Sequence, residues 1–188
     1  MCSYLHRMLL MAVVITVLPL VSCGGDDSPP PSATCTGAGC TCAGNNVCTC
    51  TAGADCKTTC GSAACTVICQ TGSKCNATGS GSTTVDCRDN SECKGTGGDA
   101  SRITCNSSAK CELKAGAGSV GTCSNSADCK LDLGPGSSVA CNDTSNCDIK
   151  CEADCAVTCA ATAKCSLSCG ADAAAMTCND GRRVCGAC

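Results

Sequence analysis

An all-β fold, a parallel β-solenoid of about 18 residues per coil with cysteine-dense caps at both ends, is what this sequence predicts. Three observations predict it: a cysteine repeat of fixed period, an aliphatic alternation flanking each cysteine, and turn-forming residues between the paired cysteines.

The repeat starts at Cys69. One row runs Cys69, Cys87, Cys105, Cys123, Cys141, Cys159, and a second row, six residues later each time, runs Cys75, Cys93, Cys111, Cys129, Cys147, Cys165. The unit is Cys-x5-Cys-x11, repeated in register, and such self-similarity marks a repeat architecture. Cys50 and Cys56 form an earlier unit, one step of 19 residues before Cys69. On a helix, six residues turn through about 600°, which would set the two rows on different faces. The units are also rich in Gly, Ser, Thr and Asn, which are poor helix formers.

A strand reading fits the neighbours. Two residues before the first cysteine stand Val67, Val85, Ile103, Val139 and Val157; two after the second stand Leu113, Leu131, Ile149 and Leu167. A period of two means strand, with cysteines and aliphatics turned inward. Between the cysteines lie Arg88-Asp89-Asn90, Asn106-Ser107-Ser108 and Asn142-Asp143-Thr144, which is turn composition. Each coil holds one cysteine of each row, so the expected disulfides are Cys69–Cys75, Cys87–Cys93, Cys105–Cys111, Cys123–Cys129, Cys141–Cys147 and Cys159–Cys165. Bonding up the stack is the alternative, since the interstrand spacing also falls within the allowed Cα separation of about 4.4–6.8 Å.

Aligning the units on cysteine orders the charges. The residue before the second cysteine reads Lys74, Glu92, Lys110, Asp128, Asn146, Lys164; the residue after it reads Asn76, Lys94, Glu112, Lys130, Asp148, Ser166; two further on come Lys114, Asp132, Lys150. Within these columns each neighbouring charged pair is of opposite sign, as stacked strands require. Asp154 and Asp172 are the counterexample.

The pattern resembles the hexapeptide repeat of left-handed β-helices, whose coil is built from three six-residue sides. The side there runs aliphatic-x3-small-x; here it runs Cys-x3-small-x, with Ser73, Ser91, Ala109, Ala127, Ser145 and Ala163 at the small position. The six-residue spacing is also similar to that of the cysteine-braced antifreeze proteins of beetles, whose coil is shorter. The unbroken threonine rows that ice binding needs are missing, since Asp86 and Ala140 interrupt Thr104, Thr122 and Thr158. At the ends, Cys56-Cys60-Cys65-Cys69, Cys147-Cys151-Cys155-Cys159, Cys40-x-Cys42, Cys48-x-Cys50 and Cys185-x2-Cys188 add cysteines suited to atypical capping units.

Upstream of the repeat the chain changes character. Arg7 precedes an apolar stretch from Met8 to Leu20, too short for a membrane span and fitting a secretory signal. It ends in Leu20-Val21-Ser22-Cys23, which resembles the lipobox of bacterial lipoproteins. That resemblance implies cleavage before Cys23, lipidation of Cys23, and a cell-envelope location. With Gly24 rather than aspartate next, it implies the outer membrane before the inner. Pro29, Pro30 and Pro31 make residues 23–34 an extended linker. The expected divisions are therefore a signal at 1–22, linker at 23–34, N-terminal cap and first coil at 35–68, regular coils at 69–176 and C-terminal cap at 177–188.

Composition limits the function. The chain has no Trp or Phe, and its only Tyr and His, Tyr4 and His6, lie in the signal. Of 28 cysteines, all but Cys2 and Cys23 fall between Cys35 and Cys188, an even number. In an exported chain this density reads as a disulfide framework. With 13 Lys or Arg against 16 Asp or Glu and no stacking aromatics, nucleic-acid binding has no support. Without histidine beyond the signal, Ser-His-Asp, Cys-His and histidine-ligated metal sites are excluded. No catalytic residue, metal site, cofactor or small-molecule substrate is identified. The expected function is a non-catalytic, membrane-anchored scaffold that meets an envelope component or an extracellular partner, its cysteines committed to structure. The alternative is a thiolate metal-binding or redox protein, because Cys-x-Cys and Cys-x2-Cys suit soft metals.

Overall fold

The computed structural model describes residues 32–170 and 174–188. A short strand, β1 (Thr34–Thr36), precedes a hairpin of β2 (Cys40–Ala43) and β3 (Val47–Cys50). The chain then winds through β4 (Asp55–Gly61), β5 (Cys65–Cys69), β6 (Lys74–Gly79), β7 (Thr83–Cys87), β8 (Glu92–Thr96), β9 (Arg102–Cys105), β10 (Lys110–Ala115), β11 (Val120–Cys123), β12 (Asp128–Leu133), β13 (Ser138–Cys141), β14 (Asn146–Cys151), β15 (Cys155–Cys159) and β16 (Lys164–Cys169). It finishes with β17 (Ala175–Thr177) and β18 (Arg183–Cys185). Among the described residues there is no helix.

The strands alternate between two sheets. Even-numbered strands β4 to β16 stack in parallel on one side, and odd-numbered strands β3 to β15 stack in parallel on the other. The fold is a parallel β-solenoid, and its register stacks cysteine on cysteine: Cys93 on Cys111, Cys111 on Cys129, Cys87 on Cys105, Cys105 on Cys123. Among the described residues only the ends reverse direction. β1 joins β4, β2 joins β3, and β18 joins β15 and β17, all antiparallel.

Each coil lays down two strands, where the hexapeptide resemblance implied three sides. The third stretch is glycine-rich and turns instead of extending. Ala100, Gly118, Gly136 and Asp154, at one 18-residue step from each other, all hold positive φ. The turn between the two cysteines is built the same way: Asp89 and Asn90, Ser107 and Ser108, Asn125 and Ser126 are consecutive left-handed residues. Asn and Asp tolerate that region better than most side chains. The turns stack as the strands do, with the N–H of Asn90 donating to Ser107 O at 3.0 Å and that of Ser108 to Asn125 O at 3.0 Å.

The core between the sheets is sulfur and small aliphatics. Val67, Val85, Ile103, Val139 and Val157 are buried against Leu113, Leu131 and Ile149. Gly121 replaces the aliphatic of its row, and Leu131 fills the space: a Cβ on Gly121 would stand 2.9 Å from Leu131 Cδ1. The small residues Ser73, Ser91, Ala109, Ala127 and Ser145 are fully buried under the turns, where a larger side chain has no room.

A third inward column escaped the apolar pattern. Ser101, Ser119 and Ser137 are buried, and each hydroxyl binds twice. Ser119 Oγ accepts the N–H of Ser101 at 3.2 Å and donates to Gly116 O at 2.8 Å. Ser137 Oγ likewise accepts from Ser119 N–H at 3.1 Å and donates to Gly134 O at 2.7 Å; Ser101 Oγ accepts from Thr83 N–H at 3.0 Å and donates to Gly98 O at 2.7 Å. These side chains satisfy backbone groups at the corner where the third stretch departs from strand geometry, and an unpaired polar group there would be costly.

Candidate functional site

The two cysteine rows meet across the interior. The first row rides on odd strands and the second on even strands, so the turn between them delivers one sulfur from each sheet at every level. Cα separations are 6.2 Å for Cys69–Cys75 and Cys87–Cys93, 6.3 Å for Cys105–Cys111, 6.5 Å for Cys123–Cys129, and 6.4 Å for Cys141–Cys147 and Cys159–Cys165, and each pair is joined. Neighbouring levels are close: the sulfurs of Cys69, Cys75 and Cys93 all lie within 4.8 Å of one another, as do those of Cys141, Cys147 and Cys165. The bonds form one internal column.

Five pairs that the sequence did not assign complete the framework. Cys42–Cys48 closes the N-terminal hairpin, Cys60–Cys65 and Cys151–Cys155 bridge the third stretch of a coil, and Cys169–Cys185 and Cys178–Cys188 pin the C-terminal strands. Cys151 and Cys155 extend the inward alternation of β14 and β15, so their position was legible although their pairing was not.

The N-terminal cap departs from the one-to-one pairing of the coils. Cys35 is a free, half-buried thiol. Cys56 is within bonding geometry of two partners, Cys40 and Cys50, at Cα separations of 5.7 and 5.9 Å. Pairing here is local, so an even total does not by itself pair every thiol. The cap gathers its sulfurs in two groups of three, Cys35 with Cys42 and Cys48, and Cys40 with Cys50 and Cys56.

Outside, the even-numbered sheet presents the charge columns. Register places Lys110 beside Glu92 and Asp128, Glu112 beside Lys94 and Lys130, and Lys114 beside Asp132. Signs also alternate along the central strands β10 and β12, as Lys110-x-Glu112-x-Lys114 and Asp128-x-Lys130-x-Asp132, so this part of the face is a checkerboard. Lys94 Nζ lies 3.1 Å from Glu92 and 3.7 Å from Glu112, Lys130 lies 3.8 Å from Glu112, and Lys114 lies 3.3 Å from Asp132. The hydrogen bond from Lys94 and its charge hold the Glu92 carboxyl below the usual carboxylate range, with Lys74 and Lys110 adding smaller pulls. The same hydrogen bond and charge raise Lys94. Asp148 is satisfied by Ser166 Oγ at 2.8 Å, and Asp128 by the Asn146 amide at 3.0 Å. Asp172, the expected exception to the alternation, lies outside the described residues.

A shallow trough of about 780 Å³ crosses this face, lined by Lys94, Glu112, Leu113, Lys130, Leu131 and Asp132 among others. Carboxylates and ammonium groups there neutralise one another. The trough is open to solvent, and Leu113, Leu131 and Gly95 lie among its charged side chains. Cys23, the expected lipidation site, lies outside the described residues. No family model, curated protein or solved structure matches this chain.

Proposed function

We propose that the chain is a non-catalytic lipoprotein of the bacterial cell envelope, in which lipidated Cys23 and a proline-rich linker carry a rigid, disulfide-braced rod. The continuous column of joined cysteines inside parallel coils supports this reading most directly. A rod that is cross-linked at every level keeps its length and shape without cofactor or partner. The checkerboard face supports it too, because Lys94, Glu112, Lys130, Lys114 and Asp132 are engaged by one another. The h-region ending in Leu20-Val21-Ser22-Cys23 supports export and anchoring, and disulfides persist in compartments reached by export. Contacts with an envelope component would be made by the small polar and charged side chains of the outer faces.

Replacing the anchor tests the reading. Cys23→Ala should move the protein from the membrane fraction to the soluble extracytoplasmic fraction and abolish fatty-acid labelling. The released body should keep the protease resistance and circular dichroism of the anchored form. A Cys23→Ala chain that is still labelled and membrane-bound overturns the anchoring. Native protein carrying several metal ions, with a matching number of thiols, replaces the scaffold by the metal-binding alternative.

A further inference from the structure

The N-terminal cap contains a group of sulfurs that the scaffold does not use up. By the rule of the regular coils, Cys50 on β3 should pair with Cys56 on β4. Cys50 stacks in register under Cys69 and Cys56 under Cys75, and the spacing is the same six residues. The antiparallel strand β2 then sets Cys40 directly opposite Cys50. Two sulfurs of one sheet thus face a single sulfur of the other. Both Cα separations from Cys56, 5.7 Å to Cys40 and 5.9 Å to Cys50, suit a disulfide. All three sulfurs lie within 4.8 Å of one another. One cysteine holds one bond, so Cys56 satisfies one neighbour and leaves the other as a thiol.

The two arrangements differ in what they show to solvent. Cys50 and Cys56 are 1% exposed, whereas Cys40 lies half-buried on the end strand. With Cys40 bonded to Cys56 the thiol is hidden at Cys50; with Cys50 bonded to Cys56 it is presented at Cys40.

We propose that Cys40, Cys50 and Cys56 form a thiol–disulfide exchange site whose reactive thiol emerges at Cys40 and takes a low-molecular-weight disulfide. In the internal step the Cys50 thiolate attacks Cys56 Sγ. The Cys50–Cys56 bond forms, the Cys40–Cys56 bond breaks, and Cys40 leaves as a thiolate that takes up a proton, with no net oxidation. In the external step the Cys40 thiolate attacks one sulfur of the incoming disulfide. A mixed disulfide forms at Cys40, and the other half departs as a thiolate and is protonated. The half-buried setting of Cys40 within a strand admits a small molecule more readily than a folded protein.

Glutathione disulfide is the probe, with full-length protein purified without reductant, quenched in acid, alkylated and mapped without reduction. Wild type should yield Cys35 plus one thiol from the trio, that thiol divided between Cys40 and Cys50 and Cys56 joined to the complementary partner. Glutathione disulfide should convert a Cys35→Ser chain to a glutathione adduct at Cys40 with Cys50 joined to Cys56. Cys50→Ser in that background locks Cys40 to Cys56 and should lose the adduct although Cys40 is still present, with an unchanged melting curve to show that the fold is intact. Four results overturn the proposal: an adduct that persists after Cys50→Ser, a single partner for Cys56 in all molecules, no free thiol in wild type, or a metal ion held by all three cysteines in reduced form.

Discussion

The regular coils and the N-terminal cap are made of the same material but use it differently. In the coils every strand runs parallel to its neighbour, so each level receives one sulfur from each sheet and the two are joined within that level. In the cap a hairpin reverses the chain, and β2 adds the sulfurs of Cys40 and Cys42 to levels already supplied by Cys50 and Cys48. Strand direction, more than cysteine number, decides whether a disulfide framework is closed or leaves a choice. The cap protects the end of the stack by antiparallel pairing, as an exposed edge requires, and the surplus sulfurs come with that protection.

Removing sulfur pairs should separate the two regions most sharply. The double variant Cys105→Ala/Cys111→Ala takes out a small closed loop and opens a void in the core. It should cost about 3–4 kcal/mol in denaturant unfolding, combining loop entropy and cavity. Cys40→Ser leaves Cys50 free to pair with Cys56 and should change stability by less than about 0.5 kcal/mol. Equal losses at the two places would erase the distinction between coil and cap. A smaller effect is expected at the corner of the coils. Ser119→Ala strands the buried N–H of Ser101 and the carbonyl of Gly116 and should cost about 2 kcal/mol. Ser126→Ala, whose hydroxyl meets only exposed Thr144, should be close to neutral. If the two serine variants melt together, the buried ladder is not holding the corner.

The smallest effect belongs to the checkerboard. Glu112→Lys replaces two attractive contacts, with Lys94 and Lys130, by two repulsive ones. Its melting temperature should fall slightly at low salt and recover at high salt, with Glu112→Gln losing less. Acid should act in the same direction. Because the folded Glu92 carboxyl is held below its ordinary value, its contribution is full above that value and fades as pH falls through the lowered one. The pH dependence should be weaker in Glu92→Gln. A wild-type stability that ignores both salt and acid would leave the charge pattern without energetic content.

Much of this was legible in the residues. The inward rows could be read because cysteine and aliphatic side chains recur at strand spacing and strand register repeats every coil. The charge columns could be read because in-register stacking turns a sequence period into a spatial neighbour. Ser101, Ser119 and Ser137 share the same period, yet a buried hydroxyl leaves no trace in a hydrophobic pattern, and its value lies in backbone groups the sequence does not display. The two-stranded coil was hidden for a related reason. Ala100 and Asp154 adopt the left-handed conformation of Gly118 and Gly136 without being glycine, so the third stretch looked able to run straight. The cap pairings depended on where a hairpin would set Cys40, which spacing alone does not fix.

A plane of alternating charges is electrically loud at contact and quiet at a distance. In the central strands ammonium groups stand beside carboxylates and carboxylates beside ammonium groups, so their potentials cancel progressively as one moves away from the sheet. Cancellation of this kind acts over less than the Debye length of about 8 Å in physiological salt. Such a surface neither steers charged solutes toward itself nor repels them. It keeps a tight shell of water over each ion pair, and anything that adheres must displace that water and match the lattice side chain by side chain. For a rod standing among crowded, charged polymers, the even-numbered face would pass as neutral ground, open only to a partner that copies its spacing.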